Sequence, residues 1–258
     1  MLFEVPWQRL AVIVPLVFLS GLMDAIAGGG GLISLPAYLL AGVPPHQAVA
    51  TNKLSSSIGT TISTARYIKN GCVDWPLAVP SAVLAILGAA AGARLILFVP
   101  ESVMRYFLIA VLPLVALLVL KKRDFSALEC EPLPRGRQFA IVSAASLTIG
   151  MYDGFYGPGT GTFMLLVLTQ MAHLSVRTAS GNVKIMNLSS NLGSLAVFLL
   201  KGQAILPLGL IAGAAALAGQ YIGAGLVLTN GAKVVRPIVL VVLALLFLRV
   251  ILELAGVA

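Results

Sequence analysis

Residues 24–36 read Asp-Ala-Ile-Ala-Gly-Gly-Gly-Gly-Leu-Ile-Ser-Leu-Pro, and residues 153–161 read Asp-Gly-Phe-Tyr-Gly-Pro-Gly-Thr-Gly. Each stretch interrupts a long apolar run, 10–42 in the first case and 138–171 in the second. Glycine destabilises a helix interior by about 1 kcal/mol relative to alanine. The sequence therefore predicts that both apolar helices break at these aspartate–glycine stretches.

The composition of the chain indicates a membrane protein. Of its 258 residues, 59% are hydrophobic and only 10% are charged, and the mean hydropathy is +1.01. A soluble domain is about a quarter charged and under half apolar, so soluble enzymes, disordered proteins and disulfide-rich secreted domains are excluded. Each helical crossing needs roughly 20 apolar residues. The predicted fold class is an all-α polytopic membrane protein.

The chain contains eight apolar segments and one long polar interruption. The interruption, residues 121–137, carries five of the basic residues and is predicted to be a cytoplasmic linker, because cytoplasmic loops are rich in lysine and arginine. The net charge of +8 is thus assigned to membrane orientation and not to nucleic acid. The apolar segments are 10–42, 47–68, 76–98, 102–120, 138–171, 178–200, 204–228 and 235–255.

The sequence on either side of the linker repeats itself, with 1–120 as the first unit and 138–258 as the second. Matching residues recur at a separation of 129 to 131 positions, which predicts two homologous repeats of four to five membrane segments each. Inverted repeats with broken helices are a common plan of secondary transporters, and we favour that arrangement over parallel repeats. The matched pairs include Asp24 and Asp153, Gly28 and Gly157, Asn52 and Asn182, Pro76 and Pro207, Arg105 and Arg236, and the motifs Gly88-x-x-x-Gly92 and Gly219-x-x-x-Gly223.

Five charged residues lie deep in apolar sequence: Asp24, Lys53, Arg94, Asp153 and Lys184. A charge at the centre of a membrane helix costs at least ~2.5–3.5 kcal/mol, so each of them needs a partner or a function. One interpretation is structural pairing, such as Asp24 with Lys53 or Asp153 with Lys184. The other makes the aspartates proton carriers and the lysines substrate ligands. Arg94 lies nearer a segment end and is expected to extend towards the membrane surface.

The glycine breaks and two polar helix faces are candidate anion-binding groups. Unpaired N–H groups at the start of a short helix attract anions. The alternatives are close helix packing, favoured for the two Gly-x-x-x-Gly motifs, and hydrogen bonds between helices. No metal site or cofactor is expected. The candidate substrate-binding residues are Gly28, Gly29, Gly30, Gly31, Thr51, Asn52, Lys53, Gly157, Gly159, Gly161, Asn182, Lys184, Asn187 and Asn191.

The glycine run of residues 24–36, followed by Ala48-Val-Ala-Thr-Asn-Lys53, resembles the sulfite exporter TauE/SafE family of bacterial membrane proteins. Gly157-Pro-Gly-Thr-Gly161, with Asn182, Lys184 and Asn187, resembles the second repeat of that family. The resemblance covers nearly the whole chain. It implies transport of sulfur-containing anions such as sulfite, sulfoacetate and other organosulfonates.

These observations predict an inner-membrane, multi-pass secondary transporter, not an enzyme, that moves a small sulfur-containing oxyanion coupled to protons. Its expected partners are the anion, protons and the lipid bilayer, without nucleic acid, and the sequence leaves a homo-oligomer open. Three alternatives remain: an anion channel of the same fold, a cation or metal transporter that uses the aspartates as ligands, and a membrane scaffold without flux.

Overall fold

The computed structural model describes residues 7–100, 103, 133–230 and 233, and the regular structure in these ranges is helical throughout. This confirms the predicted all-helical fold. The predicted segments 102–120 and 235–255 lie outside the described residues, except for position 103, as do Arg105, Arg236 and residues 121–132 of the predicted linker. The helices are α1 (Trp7–Ala27), α2 (Gly31–Leu40), α3 (Pro45–Lys69), α4 (Trp75–Ile96), α5 (Arg135–Phe155), α6 (Thr160–Leu166) with a π-helical turn at Val167–Met171, α7 (Val176–Leu200) and α8 (Leu206–Asn230).

Four of the described helices are long and apolar enough to cross a membrane: Arg9–Ala27, Trp75–Ile96, Val176–Leu200 and Leu206–Asn230. Helix α3 has 25 residues and α5 has 21, which correspond to roughly 37 and 31 Å at 1.5 Å per residue. Polar side chains lower the hydropathy of these two helices. In α3, the polar residues Thr51, Asn52 and Lys53 are buried inside the protein.

The glycines end the long helices where the sequence predicted. Helix α1 stops at Ala27 and Gly28 follows with φ +74°. Helix α5 stops at Phe155, and Gly157 follows with φ +101°. Side chains with a Cβ rarely adopt these left-handed conformations. Glycine at each break therefore allows the chain to leave the helix axis.

The first break reverses the direction of the chain. The Ser20 hydroxyl donates a hydrogen bond to the Gly30 carbonyl at 2.7 Å, so the residues after the break return to the middle of α1. A Cβ built on Gly42, beyond the end of α2, would lie 3.6 Å from the Arg9 guanidinium near the start of α1. Helices α1 and α2 therefore form a helical hairpin, in which the shorter helix α2 runs back along α1.

The second break builds a comparable hairpin from α5 and α6. The Gln138 amide near the start of α5 donates a hydrogen bond to the Ala172 carbonyl at 3.1 Å, just beyond the π-helical turn that continues α6. The two hairpins also meet, because a Cβ on Gly28 would lie 2.3 Å from the Cα of Gly161. The backbones of the two breaks thus pack directly against each other.

The remaining helices pack around these hairpins. Helix α8 packs most extensively against α1 and α3, and α4 packs against α5 and α7. A Cβ on Gly219 would lie 2.1 Å from the Phe18 carbonyl oxygen, and a Cβ on Gly88 would lie 2.3 Å from that of Leu147. Only glycine permits this backbone approach, so the packing interpretation of the two Gly-x-x-x-Gly motifs is confirmed.

Candidate functional site

Two ion pairs, one buried and one partly buried, connect the halves of the chain. The Lys53 ammonium lies 2.7 Å from Asp153 Oδ2, and the Lys184 ammonium lies 3.0 Å from Asp24 Oδ2. Each pair joins a lysine of one half to the aspartate of the other. The predicted pairings within each half are therefore wrong, because the crossed hairpins carry each aspartate to the polar helix of the opposite half.

Three side chains hold the Asp24 carboxylate. Besides Lys184, the Gln220 amide donates a hydrogen bond to Asp24 Oδ2 at 2.6 Å, and the Asn187 amide approaches the same oxygen at 3.5 Å. Gln220 was not among the residues predicted from the sequence. The sequence feature that could have identified Gln220 is a single amide inside the otherwise apolar helix α8, directly after the close-packed Gly219.

The Asp153 carboxylate is enclosed more tightly. Its Oδ2 accepts hydrogen bonds from Lys53 and from the Ser190 hydroxyl, the latter at 2.6 Å. The Lys53 ammonium also donates to Asn191 Oδ1 at 3.1 Å, and the Asn191 amide donates to Asn187 Oδ1 at 3.4 Å. Because Asn187 also approaches Asp24, the two ion pairs belong to one hydrogen-bonded network. Ser190 was the second member of this network that sequence reasoning missed.

A polar cavity lies beside the network, between the two glycine breaks and helices α3 and α7. Its empty volume is about 310 Å3, including the space at its opening. The structure brings ten of the sequence-predicted residues together here and adds Ser56 and Thr160. The predicted residues that line it are Asp24, Gly28, Gly31, Asn52, Lys53, Asp153, Gly157, Gly161, Asn187 and Asn191.

Other predicted residues do not line this cavity. The Thr51 hydroxyl accepts a hydrogen bond from the Ile205 backbone N–H at 3.1 Å, and the Asn182 amide donates to the Thr178 carbonyl at 2.9 Å. Lys184 does not line the cavity and instead forms the ion pair with Asp24. Three glycines are also outside it, namely Gly29, Gly30 and Gly159. Arg94 is exposed on α4, as expected for a side chain that extends towards the membrane surface.

Both glycine breaks contain backbone N–H groups without a hydrogen-bond partner in the described part of the chain. Within the described residues, the N–H groups of Gly29, Gly30 and Gly31 make no hydrogen bond, and neither does that of Gly161. Gly31 begins the ten-residue helix α2, so its N–H lies at the positive end of a helix dipole. Gly31 and Gly161 both line the cavity. The cavity therefore combines unpaired backbone donors with an ammonium group and three asparagine side chains.

The charges of the network cancel, since two lysines face two aspartates. Donors of this kind bind anions, and the carboxylates can accept protons. An anion that enters the cavity makes the network negative unless a positive charge enters with it. The geometry thus suits the joint binding of an anion and a proton or another cation.

Comparison with known proteins identifies the family. The family model described as sulfite exporter TauE/SafE matches residues 13–250. The "Probable membrane transporter protein ORF9" of Sinorhizobium sp is 33% identical over 248 residues, which cover 96% of this chain and 94% of the relative. The "Probable membrane transporter protein YfcA" of Escherichia coli strain K12 is 30% identical over 255 residues, which cover 99% and 94%. No solved structure matches the chain.

These matches span nearly the full length of both this chain and its relatives. They confirm the family resemblance that was inferred from the glycine runs and the Ala-Thr-Asn-Lys stretch. The relatives are named as membrane transporters, which agrees with the helices long enough to span a bilayer. The chain is therefore a multi-pass membrane protein, not an enzyme, and it belongs to the sulfite exporter TauE/SafE family of transporters.

Proposed function

We propose that this protein is a secondary transporter that moves a small sulfur-containing oxyanion across the inner membrane. Sulfite, sulfoacetate and other organosulfonates are the candidate substrates. The observation that carries the proposal is the cavity lined by Lys53, Gly31 and Gly161, in which both glycine N–H groups are unpaired within the described residues. These donors favour an anion, and the family name supplies the sulfur chemistry.

Binding would begin with competition for Lys53. Its ammonium is held by Asp153 and Asn191 in the structure, and an oxyanion in the cavity offers it an alternative acceptor. The side chain of Asn52 lines the same cavity and has an oxygen without a hydrogen-bond partner among the described residues. Rotation of that amide would present its N–H groups to the anion. The site would thus surround the oxyanion with donors from both halves.

Protonation of an aspartate would couple the anion to the proton gradient. A proton on Asp153 removes the negative charge that holds Lys53, and a proton on Asp24 does the same for Lys184. The Lys53 ammonium lines the cavity, so its release makes it available to the anion. A proton and a monovalent anion together add no net charge to a buried site, which lowers the electrostatic cost of carrying both.

We further propose that the two halves are inverted repeats. Each contains a long helix, a short returning helix and two further long helices, and the aspartate–lysine pairs are exchanged reciprocally. Because each short helix returns along its long helix, a fifth segment at 102–120 would give the first half an odd number of passes. The second half would then begin on the opposite side of the membrane, as in many secondary transporters.

Counterflow tests the proposed function. Purified protein would be placed in liposomes preloaded with unlabelled sulfite, sulfonates, sulfate or chloride, and radiolabelled sulfite would be added outside. We expect transient accumulation above protein-free liposomes with the sulfite or sulfonate preloads. The Arg94→Gln variant, which removes a charge outside the cavity, should behave like the wild type. Conductance without counterflow would instead identify a channel, and no flux from folded protein would refute the proposal.

The proton-coupling step predicts a selective defect. Asp24→Asn and Asp153→Asn should abolish accumulation driven by a pH gradient, because asparagine cannot carry the proton, while counterflow persists in at least one of them. Asp74→Asn is the matched control, since Asp74 pairs with Arg135 at 2.5 Å outside the cavity. Uphill accumulation that survives in both Asp24→Asn and Asp153→Asn would show that neither carboxylate couples transport to protons.

A further inference from the structure

A second polar cavity lies on the other side of Asp24, between α1, α2, α3 and α8. Its empty volume is about 240 Å3, including open space. It shares Asp24, Asn52 and Ser56 with the first cavity, and its other polar side chains are those of Ser20, Ser34, Ser55 and Gln220. The proposed anion site does not explain these residues.

Three of the four hydroxyl groups that line this second cavity have already used their protons. Ser20 and Ser34 both donate to the Gly30 carbonyl, at 2.7 and 3.2 Å. Ser55 donates to the Asn52 carbonyl at 3.0 Å. Each of these three hydroxyl oxygens therefore has lone pairs to offer to an occupant but no proton.

The amides point to the same kind of occupant. Gln220 is 2% exposed, and its N–H groups are committed to Asp24 at 2.6 Å and to Thr60 at 3.5 Å. These bonds fix the orientation of the amide, and its oxygen is buried without a hydrogen-bond partner among the described residues. The residue Asn52 is 7% exposed, and its side-chain oxygen is also buried without a hydrogen-bond partner among the described residues. Burying a hydrogen-bond acceptor without a donor costs folding free energy. Both oxygens therefore favour a cation or a hydrogen-bond donor as the occupant of the cavity.

We propose that this second cavity binds a sodium ion. Hydroxyl, amide and carboxylate oxygens are the ligands of hard cations, and cation sites of transporters lie where a broken helix exposes its backbone. An anion is disfavoured because three of the four lining hydroxyl protons and the Gln220 amide protons are already used. The Asp24 carboxylate is shared with Lys184, which leaves too little negative charge for a divalent ion.

The sodium site would cooperate with the anion site, and this consequence rests on the proposed function. Lys53, Lys184, Asp24 and Asp153 together carry no net charge. An oxyanion in the first cavity adds a negative charge, and a sodium ion in the second restores neutrality. Asp24 and Asn52 line both cavities, so occupation of one site reorients groups of the other.

Binding of radioactive sodium to the purified, full-length protein tests the proposal without any substrate. Scintillation proximity would measure binding of 22Na+, and the melting temperature would be compared in sodium, potassium and choline chloride at equal concentration. We expect saturable 22Na+ binding and stabilisation by sodium alone. Ser34→Ala should weaken binding roughly tenfold, the effect of losing about one ligand interaction, and Ser20→Ala provides a second, independent variant.

Ser81→Ala is the matched control, because Ser81 is equally buried and its hydroxyl also bonds to the carbonyl four residues earlier, but it lies on α4 away from this cavity. Its sodium affinity should equal that of the wild type. Equal stabilisation by sodium, potassium and choline would overturn the proposal and leave water as the occupant. Unchanged affinity in folded Ser34→Ala and Ser20→Ala would do the same. Since chloride is the same in all three salts and no sulfite or sulfonate is present, these outcomes are independent of sulfite counterflow.

Discussion

Replacement of Lys53 by methionine is expected to destabilise the protein by about 3–5 kcal/mol, the typical cost of removing one partner of a buried ion pair. The Lys53 and Asp153 side chains are only 2% and 4% exposed. Without the ammonium, the Asp153 carboxylate would keep the Ser190 hydroxyl but no counter-charge within 4 Å among the described residues. Thermal unfolding in detergent and the monodisperse fraction in size-exclusion chromatography would measure the loss.

The double variant Lys53→Met/Asp153→Asn separates the structural role of the lysine from its proposed role in binding. Removing both charges should recover most of the stability, because no unpaired buried charge remains. Sulfite counterflow should stay absent, since the anion has lost its ammonium ligand. Full counterflow by the double variant would show that Lys53 is only a counter-ion.

The control variant for Lys53→Met is Arg135→Met, which removes one partner of an exposed ion pair. The Arg135 side chain is 67% exposed and pairs with Asp74 at 2.5 Å. Exposed pairs contribute about 0–1 kcal/mol, so this variant should unfold close to the wild-type temperature. A loss as large as that of Lys53→Met would contradict the assignment of the effect to burial.

Replacement of Gly28 by alanine is expected to destabilise the protein by about 2–5 kcal/mol. Left-handed backbone at φ +74° costs a residue with a Cβ about 1–2 kcal/mol. The new Cβ would also lie 2.2 Å from the carbonyl carbon of Gly161, and overpacking of this kind adds about 1–3 kcal/mol. Since the Cβ would meet a backbone atom of Gly161 and not a flexible side chain, the two breaks would have to move apart.

Gly71→Ala isolates the conformational part of that effect. Gly71 has φ +63°, and a Cβ there would have no atom within 4 Å. The Gly71→Ala variant should lose only about 1–2 kcal/mol of unfolding free energy. Melting temperatures of the two variants, with counterflow measured on any folded fraction, provide the comparison. Equal destabilisation would mean that the contact between the two breaks contributes nothing to stability.

Much of the local structure was accessible from the sequence. Six apolar runs of 22 to 34 residues predicted helices in the described part of the chain, and the glycines at 28–31 and 157–161 predicted where two of those helices end. Both signals are local, because helix length and backbone freedom depend on neighbouring residues. The Gly-x-x-x-Gly motifs likewise predicted close packing, which the contacts of Gly88 and Gly219 confirm.

Contacts between distant residues were less accessible. Gln220 reaches Asp24 across 196 positions of the chain, and Ser190 reaches Asp153 across 37. Thr51 and Asn182 belong to polar helices but point away from the cavity. A helical pattern shows which residues share a face, but it does not show which helix that face meets.

The sequence by itself determined the membrane class, the helices with their breaks, and the need to neutralise the charges of Asp24, Lys53, Asp153 and Lys184. These follow from hydropathy, from backbone freedom and from the cost of burying a charge. Only the tertiary structure decided that each lysine pairs with the aspartate of the opposite half. The physical reason is that the hairpins cross at Gly28 and Gly161, a contact between backbones that leaves no side-chain pattern to read.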